Sequence, residues 1–318
     1  MKNQSLVSEF IFTGFPEVYE TEILLFVMFL CVYVIIIIGN LIIITSVYWD
    51  TRLHTPMYFF LANISFLEVS IATVVIPKLL SILLSSKKSI SLASCFTQCY
   101  LYFLLGTIDF IYLAAMSFDR YVAICNPLHY ITIMSWSTCF YLTVGSWWVG
   151  LLLVTCPAVA KFILPYCEAN KINHFFCDSI PLMKLACKDT TLLELIDFIL
   201  YLFVIMCSLF ITIITYFMII IVILRIPSVN GRQKAFSTCV SHLLLVCLGY
   251  GGPIFIYIIP KKQYSLDLNK FVSVITVFVT PTLSPFILCL RNKSVQVTLM
   301  DMRAYLRHTK RGRIAPLG

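Results

Sequence analysis

The chain is expected to fold as an all-α membrane protein, a seven-transmembrane helix bundle with a short amphipathic helix after helix 7. Three observations carry that expectation. Of its 318 residues, 60% are hydrophobic and 12% charged, about half the charged fraction of a soluble domain. The mean hydropathy is +0.94. Apolar runs of about 20 residues, the length that crosses a bilayer as a helix, occur seven times. A soluble helical bundle is excluded because too few polar residues remain to cover a surface. A membrane β-barrel is excluded too, since its strands would be about 10 residues long and alternate polar with apolar.

In chain order, residues 1–22 form an outer tail with four glutamates, one lysine and no apolar core, so no cleavable signal peptide is expected there. The first span then acts as the signal anchor. Asn3-Gln4-Ser5 is a glycosylation sequon in this tail. The spans are residues 23–48, 57–84, 95–123, 139–160, 195–224, 235–259 and 271–290, making 23–290 the transmembrane domain. The third and fifth contain acids and rest on their length and flanks. Residues 291–318 form a tail. Within it, residues 295–306 mix Val297, Leu299, Met300 and Leu306 with Arg303 and Arg307, the pattern of a helix lying on the inner membrane face.

Basic residues set the orientation. With the N-terminus outside, the inner segments hold Arg52, Arg120, Arg225, Arg232, Lys234, Arg291, Lys293 and the arginines of the C-terminal tail. Lys161, Lys171, Lys184, Lys188, Lys261 and Lys262 on the outer side weaken the contrast. The net charge of +8 is therefore mostly a topology signal. No basic and aromatic platform for nucleic acid lies outside the spans.

Charges inside spans mark functional candidates. Asp109 lies three helical turns before Arg120, about 16 Å at 1.5 Å per residue, near the bilayer midplane. Glu68 reaches a similar depth from the second span. Two carboxylates at one level cannot both be charged cheaply, so either they share a proton or a cation neutralises them. Pro285 is expected to kink the seventh span, and Gly249, Gly251, Gly252 and Pro253 offer a bend in the sixth.

Of 13 cysteines, about half sit inside spans as small apolar fillers. Cys95 begins the third span, and Cys167, Cys177 and Cys187 lie in the long loop after the fourth. An oxidising outer compartment allows pairing, with three connectivities open to four cysteines. His174-x-x-Cys177 offers a metal alternative, but a closed zinc site needs four ligands and disulfides would consume the thiolates.

Met116-Ser117-Phe118-Asp119-Arg120-Tyr121-Val122-Ala123-Ile124-Cys125, followed by Asn126-Pro127-Leu128-His129-Tyr130, resembles the inner end of the third helix of a rhodopsin-like (class A) G-protein-coupled receptor. Its wording is most similar to the olfactory (odorant) receptors. Leu53-His54-Thr55-Pro56-Met57-Tyr58-Phe59-Phe60-Leu61 resembles the same family, as do Gly39-Asn40, Tyr216 and Lys234-Ala235-Phe236-Ser237-Thr238-Cys239-Val240-Ser241-His242. The likeness spans residues 8 to 297.

That resemblance implies disulfides Cys95–Cys177 and Cys167–Cys187, the first pinning the loop over the bundle's mouth. Glu68, Asp109 and Ser284 match a polar site that can hold sodium in the family, with the two acids exchanged; no other cofactor is implied. Asp119, Arg120, Tyr121, Tyr216, Lys234, His242, Tyr250 and Pro285 match positions of activation and G-protein coupling. Tyr250 is the pivot of helix 6, and Arg120 is expected to contact the polar start of that helix at rest. Ligand walls fall by analogy on Tyr102, Phe103, Gly106 and Thr107, on Leu200, Tyr201 and Val204, on Pro253, Ile254 and Tyr257, and on Val274 and Val277. Tyr102 stands where amine receptors carry a carboxylate, which argues against a cationic amine. Asp197 could face the pocket, with Glu194 at its rim.

The family thus implies a plasma-membrane receptor for small, mostly neutral volatiles that acts through a stimulatory, olfactory-type heterotrimeric G protein to raise cyclic AMP. An odorant-type receptor acting outside the nose on a small metabolite is the alternative. A transporter would show repeats and paired broken helices, and an intramembrane enzyme a nucleophile and base or a metal motif; neither pattern is present, so no catalytic residue and no metal centre is assigned. In the seventh span, Ser284 and Leu288 replace the asparagine and tyrosine of the family's Asn-Pro-x-x-Tyr pattern.

Overall fold

The computed structural model describes residues 8–14, 18–166, 170–258, 266–291 and 293–312, without some helical side chains, among them Lys234, Pro253, Tyr257 and Leu288. Asn3 and Cys167 also lie outside the described residues. The long helices are α1 (Tyr19–Trp49), α2 (Pro56–Leu84), α3 (Leu92–Cys125), α5 (Trp136–Phe162), α7 (Thr191–Arg225) and α8 (Val229–Ile258). Short α4 (Tyr130–Ile133) and α6 (Ser179–Met183) lie in the loops before α5 and α7. The seventh span is composite: α9 (Leu266–Val274), a π-helical turn (Ile275–Val279) and α10 (Thr280–Arg291). Then α11 (Lys293–Gly312) follows. Six spans qualify as membrane-crossing by length and hydropathy, and α8 adds the apolar stretch Cys239–Gly252.

Each helix begins and ends for a local reason. Ser91 caps α3 through the Ser94 amide and Ser135 caps α5 through the Thr138 amide, each supplying an acceptor to an otherwise orphaned N–H. Pro56 opens α2 at the position where its missing N–H costs nothing. The π turn precedes Pro281, whose ring withdraws the N–H that would return to Val277. The residues expected to allow a bend in the sixth span, Gly249–Pro253, lie within α8, which continues to Ile258.

Packing sorts the helices by burial. α3 is the central element, touching α2, α5, α7 and α8. It buries Leu104, Leu105, Ile108, Phe110, Tyr112 and Met116 within the largest apolar cluster. α5 turns Phe140, Tyr141, Trp148 and Leu152 outward, and α7 does the same with Phe203, Phe210, Ile213 and Phe217. In water such faces would be a liability; against lipid tails they are solvated. Where α5 meets α3, Gly150 allows the approach, since a Cβ there would come 2.8 Å from Ile108.

One junction repairs a backbone defect. Pro285 has no N–H to return to the carbonyl of Pro281. Asn40 of α1 supplies the missing donor, its Nδ2 reaching Pro281 O at 3.3 Å as well as Ile36 O at 3.1 Å. Gly39 beside it lets α1 close in: a Cβ there would lie 3.0 Å from the Pro285 ring. The family-like Gly39-Asn40 pair is thus a fastening for the seventh span.

At the end of the bundle where α1 and α3 begin, the N-terminal segment is more than a tail. β1 (Glu9–Phe12) pairs antiparallel with β2 (Ser89–Ser91) and parallel with β3 (Lys171–Ile172), giving a sheet ordered β2-β1-β3. Phe10 and Phe12 point into a cluster with Ile90, Cys95, Tyr166 and Ile172. At the inner end, Asp50 accepts from Arg52 and from Thr298 of α11 (2.5 Å), while Arg52 also pairs with Asp301 at 2.5 Å. These contacts hold the Asp50 carboxyl well below the usual carboxylate range, Arg52 contributing most, and moor α11 to the first inner loop.

Candidate functional site

Cys95, at the start of α3, is disulfide-bonded to Cys177 in the loop between α5 and α7. Cys187 is also disulfide-bonded, and its expected partner Cys167 lies outside the described residues. The first bond removes the thiolate on which the metal alternative at His174-x-x-Cys177 depended. The loop is further stitched to the helices: the Cys177 amide donates to Gln98 Oε1 (2.9 Å), whose Nε2 donates to Val74 O (2.9 Å). Within the loop His174 stacks on Phe175 and meets Phe176 edge-on, and the two phenylalanine rings are tilted against each other. His174 is fully buried, and burial, with Lys270 adding repulsion, pushes its imidazole down to about 3.

Beside this loop lies an open cavity, about 730 Å³ of empty space when the solvent at its mouth is included. Phe103 and Thr107 of α3 and Leu200, Tyr201 and Val204 of α7 form two walls. The third comes from α5, with Leu153, Val154, Pro157 and Lys161, and the roof from Ser179, Ile180 and Met183. Gly106 adds room nearby, since a Cβ there would meet nothing within 4 Å. The cavity is mostly apolar but holds an ion pair: Lys161 Nζ lies 2.5 Å from Asp197, whose Oδ2 also accepts from Ser179 Oγ at 2.8 Å.

Deeper in the bundle a polar layer surrounds Glu68. Asn40, Ser284 and Asp109 act on its carboxyl. Among the described residues Asn40 Oδ1, Glu68 Oε2, Asp109 Oδ1 and Ser284 Oγ are buried without a hydrogen bond of ordinary geometry, as is Ser65 Oγ elsewhere on α2. So many under-satisfied oxygens around one carboxyl are an unusual cost, and an all-oxygen set suits a hard cation.

At the inner end of α3, Asp119 is fully buried and paired with Arg120, and its Oδ1 accepts from Tyr130 Oη at 2.8 Å. Arg120 lies near enough to Cys239 and His242 of α8 to act on both electrostatically, while the Lys234, Ser237 and Thr238 side chains, where its resting contact is expected, lie outside those described. Tyr216 Oη and His242 Nδ1 are 2.5 Å apart with their rings stacked.

Residues 29–305 match the family model described as olfactory receptor. The chain belongs to the olfactory receptor family. It is 50% identical to human olfactory receptor 6S1 over 93% of this chain and 89% of that one. It is 49% identical to human olfactory receptor 6J1 over 93% and 85%, and 48% identical to mouse olfactory receptor 6E1 over 93% and 95%. It is a multi-pass membrane receptor, and its relatives are receptors rather than enzymes.

In this olfactory receptor the expected wall residues divide into two groups. Phe103, Thr107, Leu200, Tyr201 and Val204 share the cavity, whereas Gly106 is not among the residues that line it. Tyr102, Val274 and Val277 do not line it. They pack with Phe175 and Phe176 in another apolar cluster, Tyr102 Oη standing 3.5 Å from Thr276 Oγ1. Pro253 and Tyr257 have side chains outside those described, and Ile254 packs against the main core. Tyr250 is buried against Phe110, ring centroids 5.3 Å apart. Tyr121 packs beside Tyr216 and Cys239.

The wall given by α5 is not expected from the sequence, where Lys161 reads as an ordinary lysine beyond the end of the fourth span. The fourth span extends past residue 160, which draws Lys161 inside to 6% exposure. The available signal was a lysine and an aspartate at the outer ends of consecutive long spans.

Proposed function

We propose that this receptor binds a small, mostly neutral volatile ligand in the cavity between α3, α5 and α7 and activates a stimulatory heterotrimeric G protein, raising cyclic AMP. One observation carries the reading: α3 joins that cavity at one end to the buried Asp119–Arg120 pair at the other. The N-terminus lies outside and the C-terminus in the cytosol, so that residues 1–22 face out and 291–318 face the G protein. Exposed Val297 and Met300 of α11 rest on the inner leaflet. Ligand packing against α3 and α7 favours the arrangement in which α8 moves, the Tyr216–His242 contact opens and Arg120 is freed. The ligand drives this change only by its differential affinity for the two states. Glu68, Asp109 and Ser284, with Asn40, would hold a sodium ion, which would neutralise the acids and favour the resting arrangement.

The test is cyclic AMP in cells expressing the receptor with the olfactory stimulatory G protein, against a panel of neutral volatiles and with surface level monitored. A dose-dependent rise that vanishes in Arg120→Ala at unchanged surface level is expected. A rise that survives Arg120→Ala undiminished would overturn the role given to Arg120. Silence with good surface expression would overturn the coupling.

A further inference from the structure

Lys161 is the anomaly of the cavity. Its side chain is 8% exposed, yet an ammonium carries three N–H donors, and among the described residues its ion-pair partner is Asp197 alone. The Phe103 ring lies 5.6 Å from Nζ and steadies the charge without accepting a hydrogen bond in its place. Among the described residues two charge-assisted donors therefore meet no acceptor at the wall of an apolar cavity, where an unmade hydrogen bond is costly.

We propose that Lys161 determines which ligands this receptor takes, holding a neutral hydrogen-bond acceptor, the carbonyl oxygen of an aldehyde, ketone or ester, on the N–H groups that Asp197 leaves free. The assignment deepens the reading above and rests on the same cavity. The charges decide the class. Lys161 is already paired with Asp197, so a carboxylate ligand would have to compete with that aspartate for the one ammonium lining the cavity. A cationic amine would have to displace Lys161 from an aspartate that Ser179 also holds. A neutral carbonyl disturbs neither contact, and its apolar tail lies along Phe103, Val154, Pro157 and Val204.

The experiment uses the full-length receptor purified in lipid nanodiscs and five probes of one chain length: 2-octanone, octanal, octane, octanoic acid and octylamine. Thermal stabilisation reads binding without signalling, and cyclic AMP in cells is recorded in parallel. The ketone and aldehyde are expected to stabilise the wild type well above octane, acid or amine. Because Lys161→Met alone strands a buried aspartate and can misfold, the decisive variant is Lys161→Met with Asp197→Asn, which removes both charges together. It should bind octane as before and lose about tenfold or more in affinity for 2-octanone, while Lys161→Arg keeps part of the preference.

Equal stabilisation by 2-octanone and octane in the wild type, or by no probe at all, overturns the assignment. So does a preference for acid or amine, or a ketone preference that survives the double variant. Stabilisation by ketone without a cyclic AMP rise would instead refute the coupling reading and leave Lys161 in its role.

Discussion

Replacing Asn40 tests whether α1 repairs the seventh span. Asn40→Ala removes the donor that reaches Pro281 O at 3.3 Å, a distance just beyond the usual N–H···O range. A neutral bond of that length contributes about 0.5–1 kcal/mol net, in keeping with membrane interiors. Leaving the carbonyl buried without a partner adds a desolvation cost, so the variant should lose about 1–2 kcal/mol. Pro285→Ala restores an N–H at the position facing that carbonyl, and in this background Asn40→Ala should cost only about 0.5–1 kcal/mol. The cycle therefore predicts a coupling near 1 kcal/mol. Thermal unfolding of the four purified proteins in one detergent measures it, at about 2–4 °C per kcal/mol for chains of a few hundred residues. Effects that add within about 0.3–0.5 kcal/mol, the scatter of independent sites, would refute the repair and reduce Asn40 to ordinary packing.

Cys95→Ser and Cys177→Ser should each lower surface expression to the same level, and the double variant should fall no further, because each breaks the same bond; a further drop in the double variant would mean separate roles. His174 should make the loop around it sensitive to acid. Unfolded, its imidazole takes a proton near 6.5, whereas burial holds the folded one at about 3. The open form therefore binds more protons between those values, and opening becomes about 2 kcal/mol easier at pH 5 than at pH 7. Amide hydrogen exchange in residues 170–178, corrected for intrinsic rate, should accelerate accordingly, and His174→Asn should flatten the dependence. An unchanged corrected rate would show that the ring is protonated in the folded loop.

The spans were legible because lipid demands long apolar runs, and a run of that length has one reading. Pro285 and the Asp119–Arg120 pair were legible because their chemistry is local. What stayed hidden depends on register between distant segments. β1 is four residues of ordinary sequence whose partners lie in two other loops. The α5 wall of the cavity rests on how far one helix extends, since two more residues turn Lys161 from a surface charge into a buried one. The π turn arises where Val277 loses its N–H partner to Pro281, and sequence pattern alone does not choose among the ways a helix absorbs a proline.

The three-stranded sheet also sets an order of events during biosynthesis. β1 is finished almost at once, yet it cannot gain its parallel partner until Lys171 and Ile172 have been made and delivered to the same side as the N-terminus. At about 5–20 residues per second, the first strand waits on the order of ten to thirty seconds with Phe10 and Phe12 uncovered. During that interval four spans must enter the membrane in the correct sense, or the sheet cannot close. The closed sheet is thus a record, held on the side of the N-terminus, that the first half of the chain was threaded correctly.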